Sequence, residues 1–563
     1  MGGPGLWERG FGRNVGPRPN RYDFLAFLAV AALLAAFLRA SREAAGSLSP
    51  EPISLNPWHL PEYALRTGFR MGLALLFSTL FTLVYAPLAA KTRLEPFLVA
   101  LLDILQSVPI LGFLAASVGA LASLFPGRAL GYELAAVFAV FTSQAWNMAF
   151  SFYQSLKTLP RELDEAARLY RLRSLHRFLR LELPFALPGL VWNAMMSMSG
   201  GWFFVVASEA ISVGKTEVDL PGVGSYLARA LQAGDLHAVG YATLAMLLTI
   251  LLYDQLFFRP LVAWSERFKY EERPGEAPAR SWALDLLRRT RAARALGETL
   301  AEALLRRAVA FGGVGGGGLG FPRLLLPALL LPLLYGAYGL FHALLALGLG
   351  EWLRALGLGL LTLLRVLGIL ALAALVWVPV GVALGGRPAL AVRAQALLQF
   401  LAAFPANLLY PLAAYLLLRY RLSLEVFSAF LMALGTQWYL LFNVVAGATA
   451  LPGDLKEAAR AYRLKGLLLW RRLLLPGVFP YLVTGLVTAS GGTWNASIVA
   501  EVVSWHGRTL EATGLGAYIA KATEAGDGGR LLLGILAMSG FVLLLNRFLW
   551  RRLYRLAEER FRL

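Results

Sequence analysis

Cysteine is absent from the 563-residue chain, which excludes disulfides, thiolate metal sites and cysteine nucleophiles. Charge is scarce as well, with 15% of residues charged against 58% hydrophobic. A soluble domain carries roughly 25% charge and 45–50% apolar residues, so an ordinary cytosolic enzyme is excluded. Lysine is rare, 7 against 46 arginines, yet basic residues outnumber acidic ones 53 to 34 and the formal charge is +19. Such a balance would suit nucleic acid, but the arginines collect between apolar runs. That placement is what orientation in a membrane requires, and no nucleic-acid partner is expected. The five histidines, His59, His176, His237, His342 and His506, lack ligand spacing, and no metal is expected.

Long uncharged runs are the dominant feature, and about 17–25 apolar residues suffice to cross a bilayer. The first half places spans near 24–38, 68–90, 97–125, 133–156, 185–210 and 237–258. The second places them near 324–347, 359–384, 394–418, 425–447, 477–502 and 531–549. The polar, basic start precedes the first run without a cleavage signal, so no leader is expected. Arg9, Arg13, Arg18 and Arg21, then Lys91 and Arg93, then seven basic residues between 157 and 180 fall on one side by parity. The second half repeats this with Arg387, Arg393 and six basic residues between 456 and 472; Arg419 and Arg421 depart from it. This predicts an all-α integral membrane protein of about twelve helices in two six-span units, with both termini cytoplasmic. The expected domains are 1–263, a basic and Gly-rich cytoplasmic linker at 264–323, and 324–563. Within the linker an amphipathic basic helix is expected around 286–308.

The chain repeats itself at an offset of 292 residues. Residues 159–184 read LPRELDEAARLYRLRSLHRFLRLELP and residues 451–476 read LPGDLKEAARAYRLKGLLLWRRLLLP, with 15 of 26 positions identical. Trp202 pairs with Trp494 and Glu209 with Glu501, and the Gly-x-Gly-x-Tyr stretches at 222–226 and 514–518 correspond. Two homologous halves imply a pseudo-two-fold axis along the membrane normal, with the pathway between them.

Each repeated loop reads as a helix built to be gripped. Pro160 and Pro452 suit a first helical position. Glu162, Asp164 and Glu165, and Asp454 and Glu457, complement the positive helix N-terminus. Leu163, Ala167 and Tyr170 share one face at i, i+4, i+7, as do Leu455, Ala459 and Tyr462. The alanine pairs Ala166-Ala167 and Ala458-Ala459 allow another surface to approach the backbone closely, and Arg168, Arg171, Arg460 and Arg463 surround the face. The alternative is an amphipathic helix lying on anionic lipid.

These loops resemble the EAA loop of binding-protein-dependent ABC transporter permeases. Glu165-Ala166-Ala167 with Leu183-Pro184, and Glu457-Ala458-Ala459 with Leu475-Pro476, carry the likeness. The Gly-x-Gly-x-Tyr stretches and the preceding Glu209 and Glu501 look like the nitrate, sulfonate and taurine importer subfamily. The chain then looks like two such permease units fused head to tail, with the type I importer architecture. The resemblance implies that two copies of a cytoplasmic ATPase subunit hold the loops and bind ATP and Mg2+. This chain would bind no cofactor and hydrolyse nothing. It also implies an extracytoplasmic solute-binding protein and a place in the cell's inner membrane. Where the family has a glycine, this chain has Arg171 and Arg463. Arginine adopts left-handed backbone only at a cost, so either the turn is built differently or the helix runs on. The P-loop lookalike Val213-Gly214-Lys215-Thr216 lacks the upstream glycine and is dismissed.

Polar groups inside the runs mark a candidate solute pathway: Gln106, Gln144, Asn147, Asn193 and Trp202, and Gln399, Gln437, Asn443, Trp494 and Asn495. For each, interhelical hydrogen bonding or packing is the competing reading. Met195, Met196 and Met198 read as adaptable packing. Glu209 and Glu501 read as structural or gating residues at the outer span end, fixing the outer loop by pairing with Lys215 or Arg508. The expected function is the membrane-spanning subunit of an ATP-driven importer for a small solute, anionic like nitrate, sulfonate, taurine or bicarbonate. A twelve-span secondary transporter driven by ion gradients is the alternative, with Asp103 and Asp254 as its available carboxylates.

Overall fold

The computed structural model describes residues 22–24, 53–170, 172, 174–213, 216–268, 281–290, 342 and 344–560. The N-terminal arginines, most of the runs 24–38 and 324–347, Lys215, Arg171 and the Gly-rich stretch of the linker lie outside them. The first half runs through α1 (Leu60–Lys91), α2 (Glu95–Ser107), α3 (Ile110–Leu124), α4 (Leu130–Lys157) and the loop helix α5 (Arg161–Leu169). It continues with α6 (Leu183–Glu209), the hairpin β1 (Ala210–Val213) and β2 (Thr216–Asp219), α7 (Val223–Ala233), α8 (Leu236–Tyr253) and α9 (Arg259–Ser265). Helix α10 (Trp282–Arg289) lies in the linker.

The second half repeats this order. It comprises α11 (Leu349–Gly385), α12 (Pro388–Ala403), α13 (Tyr410–Tyr420), α14 (Leu424–Thr449) and the loop helix α15 (Gly453–Ala461). Then come α16 (Leu475–Ala500), β3 (Val502–Trp505), β4 (Arg508–Glu511), α17 (Leu515–Ala525), α18 (Gly528–Leu545) and α19 (Arg551–Arg560). Correspondence reaches the irregularities. Among the described residues four π-helical turns occur in two pairs 292 residues apart, Phe178–Glu182 with Trp470–Leu474 and Asp254–Phe258 with Asn546–Trp550. Pro87 and Pro379, and Pro188 and Pro480, sit inside matched helices.

Among the described residues seven helices are long and apolar enough to cross a membrane, and they match seven of the twelve runs read from sequence. The run 133–156 is the continuous 28-residue helix α4. The runs 97–125 and 394–418 are each broken rather than single helices. Val108 and Pro109 are extended (ψ 133° and 128°) between α2 and α3. Phe404 and Pro405 are extended (ψ 124° and 102°) between α12 and a 3-10 turn, Ala406–Leu409, that leads into α13. The cause is local: proline lacks the N–H a continuous helix needs and disfavours helical backbone in the residue before it. The two antiparallel hairpins are the only strands among the described residues.

Contacts divide the chain into two compact units. The smaller holds Gln154–Trp192 and the described parts of Met1–Glu43 and Leu252–Ala328. The larger holds Asn193–Leu251 and the described parts of Ala44–Tyr153 and Leu329–Leu563, and so contains most helices of both halves. Its main core gathers Val366 and Leu370 of α11, Met432 of α14, Trp494 and Ile498 of α16, Ile519 of α17 and Met538 of α18. Val108, Leu111 and Phe203 from the first half pack against that core.

Each break meets the long helix of the opposite half. A helix that starts afresh exposes N–H groups without partners. Ile110, the first residue of α3, donates its N–H to Asn495 Oδ1 of α16 at 2.7 Å. At the matched place, Asn407 Nδ2 donates to the Phe203 carbonyl of α6 at 3.2 Å. The amide thus belongs to the long helix in one contact and to the break in the other. Asn443, by contrast, donates only into its own helix, to the Tyr439 carbonyl at 2.7 Å. Asn495→Leu is therefore expected to destabilise the chain by about 1 kcal/mol, as loss of an N-cap does, and more than Asn443→Leu. Thermal unfolding of both variants in detergent tests this.

Candidate functional site: the repeated loops and the buried ion triads

The loop helices begin one residue later than the sequence suggests. Pro160 and Pro452 occupy the N-cap, with ψ of 140° outside the helical range. Glu162 and Asp164 remain in the first turn of α5, and Asp454 in that of α15. The apolar face expected to unite Leu163, Ala167 and Tyr170 splits in two. Ala167 and Ala459 are buried, whereas Tyr170 and Tyr462 are each 81% exposed. Both tyrosines are C-caps, where the chain leaves the helix, so helical spacing no longer holds them over the alanines. Glu165, Glu457, Ala458, Arg168 and Arg460 are exposed, and Ala166 is half-buried.

Arg463 decides how the missing glycine is replaced in the second half. Its φ is 51°, in the left-handed region, and the Leu464 N–H closes on the Ala459 carbonyl at 2.9 Å. The helix therefore stops, and arginine takes the conformation glycine would favour, at about 1–2 kcal/mol. The first half has the same closing bond, Leu172 N–H to the Ala167 carbonyl at 3.0 Å, while Arg171 lies outside the described residues. The loops differ in bracing. Asp164 pairs with Arg177 at 2.5 Å, and Arg177 with the buried Glu182 at 2.9 Å. Lys456, Leu469 and Leu474 stand at those three places in the second half.

At the hairpin end, Glu209 and Glu501 are fully buried and each belongs to an ion triad. Arg70 of α1 holds Glu133 of α4 through two bonds of 2.6 and 2.7 Å, and Glu209 of α6 at 2.7 Å. It also donates to the Pro221 carbonyl at 3.0 Å. Glu209 accepts the Gly224 N–H at 2.7 Å, and Thr67 Oγ1 accepts the Val223 N–H at 3.0 Å. The second half rebuilds the arrangement. Arg365 pairs with Glu425 and, at 3.1 Å, with Glu501, and donates to the Thr513 carbonyl at 2.8 Å. Glu501 accepts from Thr362 Oγ1 at 2.8 Å and from the Ala517 N–H at 3.0 Å. Room for the loop exists only because glycine lacks a side chain. A Cβ on Gly222 or Gly514 would stand 2.3 or 2.2 Å from the glutamate. The ion partners of Glu209 and Glu501 are Arg70 and Arg365, not the Lys215 or Arg508 expected from the sequence. Arg508 is exposed, and Lys215 is outside the described residues.

Several of the polar groups within the runs bond to neighbouring helices. Gln144 is buried against Ser78 and Met71 of α1, its Nε2 3.1 Å from Met71 Sδ. Asn147 donates to Ser197 Oγ at 2.9 Å, and Asn193 to Ser151 Oγ at 2.7 Å, so the two cross-link α4 and α6. Gln437 of α14 accepts from Trp377 Nε1 of α11 at 3.0 Å. Gln106 is exposed, and the Gln399 side chain is outside the described residues. Trp202 and Trp494 are buried, and Trp494 stacks on Phe541 with ring centroids 6.1 Å apart. Trp494 Nε1, Ser199 Oγ and Asn407 Oδ1 are buried without a hydrogen-bond partner among the described residues.

Comparison with known proteins agrees with this duplicated plan. The family described as binding-protein-dependent transport system inner membrane component matches twice, over residues 78–259 and 338–563. The chain belongs to this family. It is a multi-pass membrane protein carrying two family units in one polypeptide. The bicarbonate transport system permease protein CmpB of Synechococcus elongatus is 28% identical over 182 residues, 32% of this chain and 61% of that protein. The nitrate import permease protein NrtB of Leptolyngbya laminosa is 31% identical over 121 residues, 22% of this chain and 40% of its own length. The putative aliphatic sulfonates transport permease protein SsuC of Escherichia coli is 38% identical over 80 residues, 14% and 30% of the two chains. The chain thus spans about three fifths of the length of the first relative, and less of the others.

Of the four residues that complete the triads, Glu133 and Glu425 stand 292 residues apart and belong to the repeat, whereas Arg70 and Arg365 are marked neither by hydropathy nor by that offset. A signal exists, since Thr67-x-x-Arg70 and Thr362-x-x-Arg365 form a second repeat, at an offset of 295 rather than 292. Arg70→Met is expected to destabilise the protein by about 3–5 kcal/mol, because it leaves Glu209 buried without its cation. The midpoint of thermal unfolding in detergent reports this. Arg463→Gly, which relieves a left-handed arginine, is expected to raise stability by about 0.5–1 kcal/mol in the same assay.

Proposed function

We propose that this permease forms the translocation pathway of an ATP-driven importer. Its two loop helices couple to two copies of a cytoplasmic ATPase subunit. The observation that carries this reading is the matched presentation of the loops. Each helix seats one alanine in the protein and turns a glutamate and an 81% exposed tyrosine outward, at positions 292 residues apart. Two such knobs on one chain fit two copies of the same partner. ATP and Mg2+ belong to those partners, and this chain performs no chemistry of its own. The coupling set is Glu165, Ala166, Arg168, Tyr170 and Arg171 with Glu457, Ala458, Arg460, Tyr462 and Arg463.

In this reading the loops and both termini face the cytoplasm of a cell with an inner membrane. The triad-braced hairpins face the extracytoplasmic side, where a solute-binding protein delivers its cargo. The two six-span units, 1–263 and 324–563, move about the seam formed by the broken helices. The relatives named for bicarbonate, nitrate and aliphatic sulfonates support a small anion as the solute. Among the described carboxylates near the span ends, Glu209 and Glu501 are held by arginine and Asp254 pairs with Arg259 at 2.9 Å, which gives no support to an ion-driven transporter; the Asp103 side chain lies outside the described residues.

Reversing the charge at Glu165 and Glu457 together (Glu165→Lys with Glu457→Lys) is expected to abolish ATP-dependent uptake and ATPase co-purification, with insertion of the chain unchanged. Undiminished uptake by that variant would refute the coupling role.

A further inference from the structure

Helix α10 (Trp282–Arg289), in the segment joining the two halves, has no counterpart in the repeat. Two neighbours fix its depth. Its Trp282 Nε1 donates to Gln255 Oε1 at 3.1 Å. Gln255 follows Asp254, the first charged residue after α8, which spans 18 residues without Asp, Glu, Lys or Arg. At a rise of about 1.5 Å per residue, such a helix is about as long as the hydrocarbon core is thick. The Asp254–Arg259 pair therefore marks the level where hydrocarbon gives way to headgroups. At the other end of α10, the Arg289 guanidinium lies 6.0 Å from the ring centre of Tyr22, two residues before the apolar run at 24–38.

The sides of α10 differ. Ser281, Ala283 and Thr290 are buried. Trp282 is 57% exposed and Leu286, one turn along the same face, 38% exposed. Arg288 and Arg289 are exposed too, with Asp285 the only acid on the helix, 3.8 Å from Arg288. A tryptophan and a leucine turned outward beside two arginines, at the depth of a span end, have the chemistry of a helix lying in the membrane interface. The sequence that follows adds Arg291, Arg294, Arg306 and Arg307 against Glu298 and Glu302.

We propose that α10 is an interfacial helix whose Trp282–Leu286 face is covered by lipid. The exposed Arg288 holds the phosphate of an anionic phospholipid, pinning the junction between the halves to the bilayer surface.

The cysteine-free sequence makes a clean test available. The full chain carrying Leu286→Cys is spin-labelled and reconstituted in nanodiscs of phosphatidylcholine, with or without phosphatidylglycerol. Collisions with oxygen and with a water-soluble nickel chelate are then measured by electron paramagnetic resonance. Tyr462→Cys, on an exposed loop helix, is the aqueous reference. The label at 286 is expected to favour oxygen over nickel relative to the reference and to lose mobility when phosphatidylglycerol is present. Arg288→Glu should remove that lipid dependence. Nickel access equal to that at 462 would overturn the proposal. So would protection from both probes, which means a protein covers the face, or a label in lipid that is indifferent to phosphatidylglycerol.

Discussion

Burying a guanidinium costs several kcal/mol unless its charge and its donors are met, and Arg70 and Arg365 each meet theirs with two carboxylates. The carboxylates come from opposite helix ends. Glu133 and Glu425 lie in the first turn of α4 and α14, where the helix dipole favours an anion. Glu209 and Glu501 sit at the C-terminal ends of α6 and α16, where it does not, so these two depend most on the arginine. Each triad thereby fixes three long helices at one level. Through the backbone bonds of Glu209 and Glu501 it also fixes the start of α7 and α17. The glycines at 222 and 514 follow from this, because the loop must pass over a carboxylate with no space for a Cβ.

The two halves agree most where burial leaves no choice and diverge where it does. The triads, the π-helical turns, the internal prolines and the buried alanines of the loop helices recur in matched places. The loop braces do not. The Asp164–Arg177–Glu182 chain ties α5 to the turn that follows it, and a lysine and two leucines replace it in the second half. The ion chain is half-exposed except at Glu182, a setting in which replacement by apolar contact changes stability little. The first loop is held by directional bonds that the residues at the matched places in the second cannot make.

Much of this architecture is legible in the amino-acid sequence. Hydrophobic runs and arginine placement locate the helices, and the repeat locates both loops, because a polar stretch of 15 identities in 26 positions has no compositional explanation. The remainder is hidden for physical reasons. Arg70 and Arg365 stand inside or beside apolar runs, where a single charge looks like a tolerated exception and its carboxylate partners are 63 and 60 residues away. The breaks at Pro109 and Pro405 fall in runs apolar enough to read as single spans, since hydropathy says nothing of a missing N–H. The left-handed turn at Arg463 goes with the Leu464 N–H closing on Ala459, a main-chain bond at the helix end that overrides the preference of the residue itself.

The crossed contacts at the breaks bear on how the two halves can change over time. In an assembly of two identical copies, any substitution strikes both equivalent places at once. A favourable change on one side then has to be tolerated on the other. Here the contact through Asn495 and the contact through Asn407 put the amide on opposite partners, an arrangement no pair of identical copies could hold. Joining the halves in one chain has turned a symmetric seam into two independent ones. Each is open to single changes that its counterpart never feels.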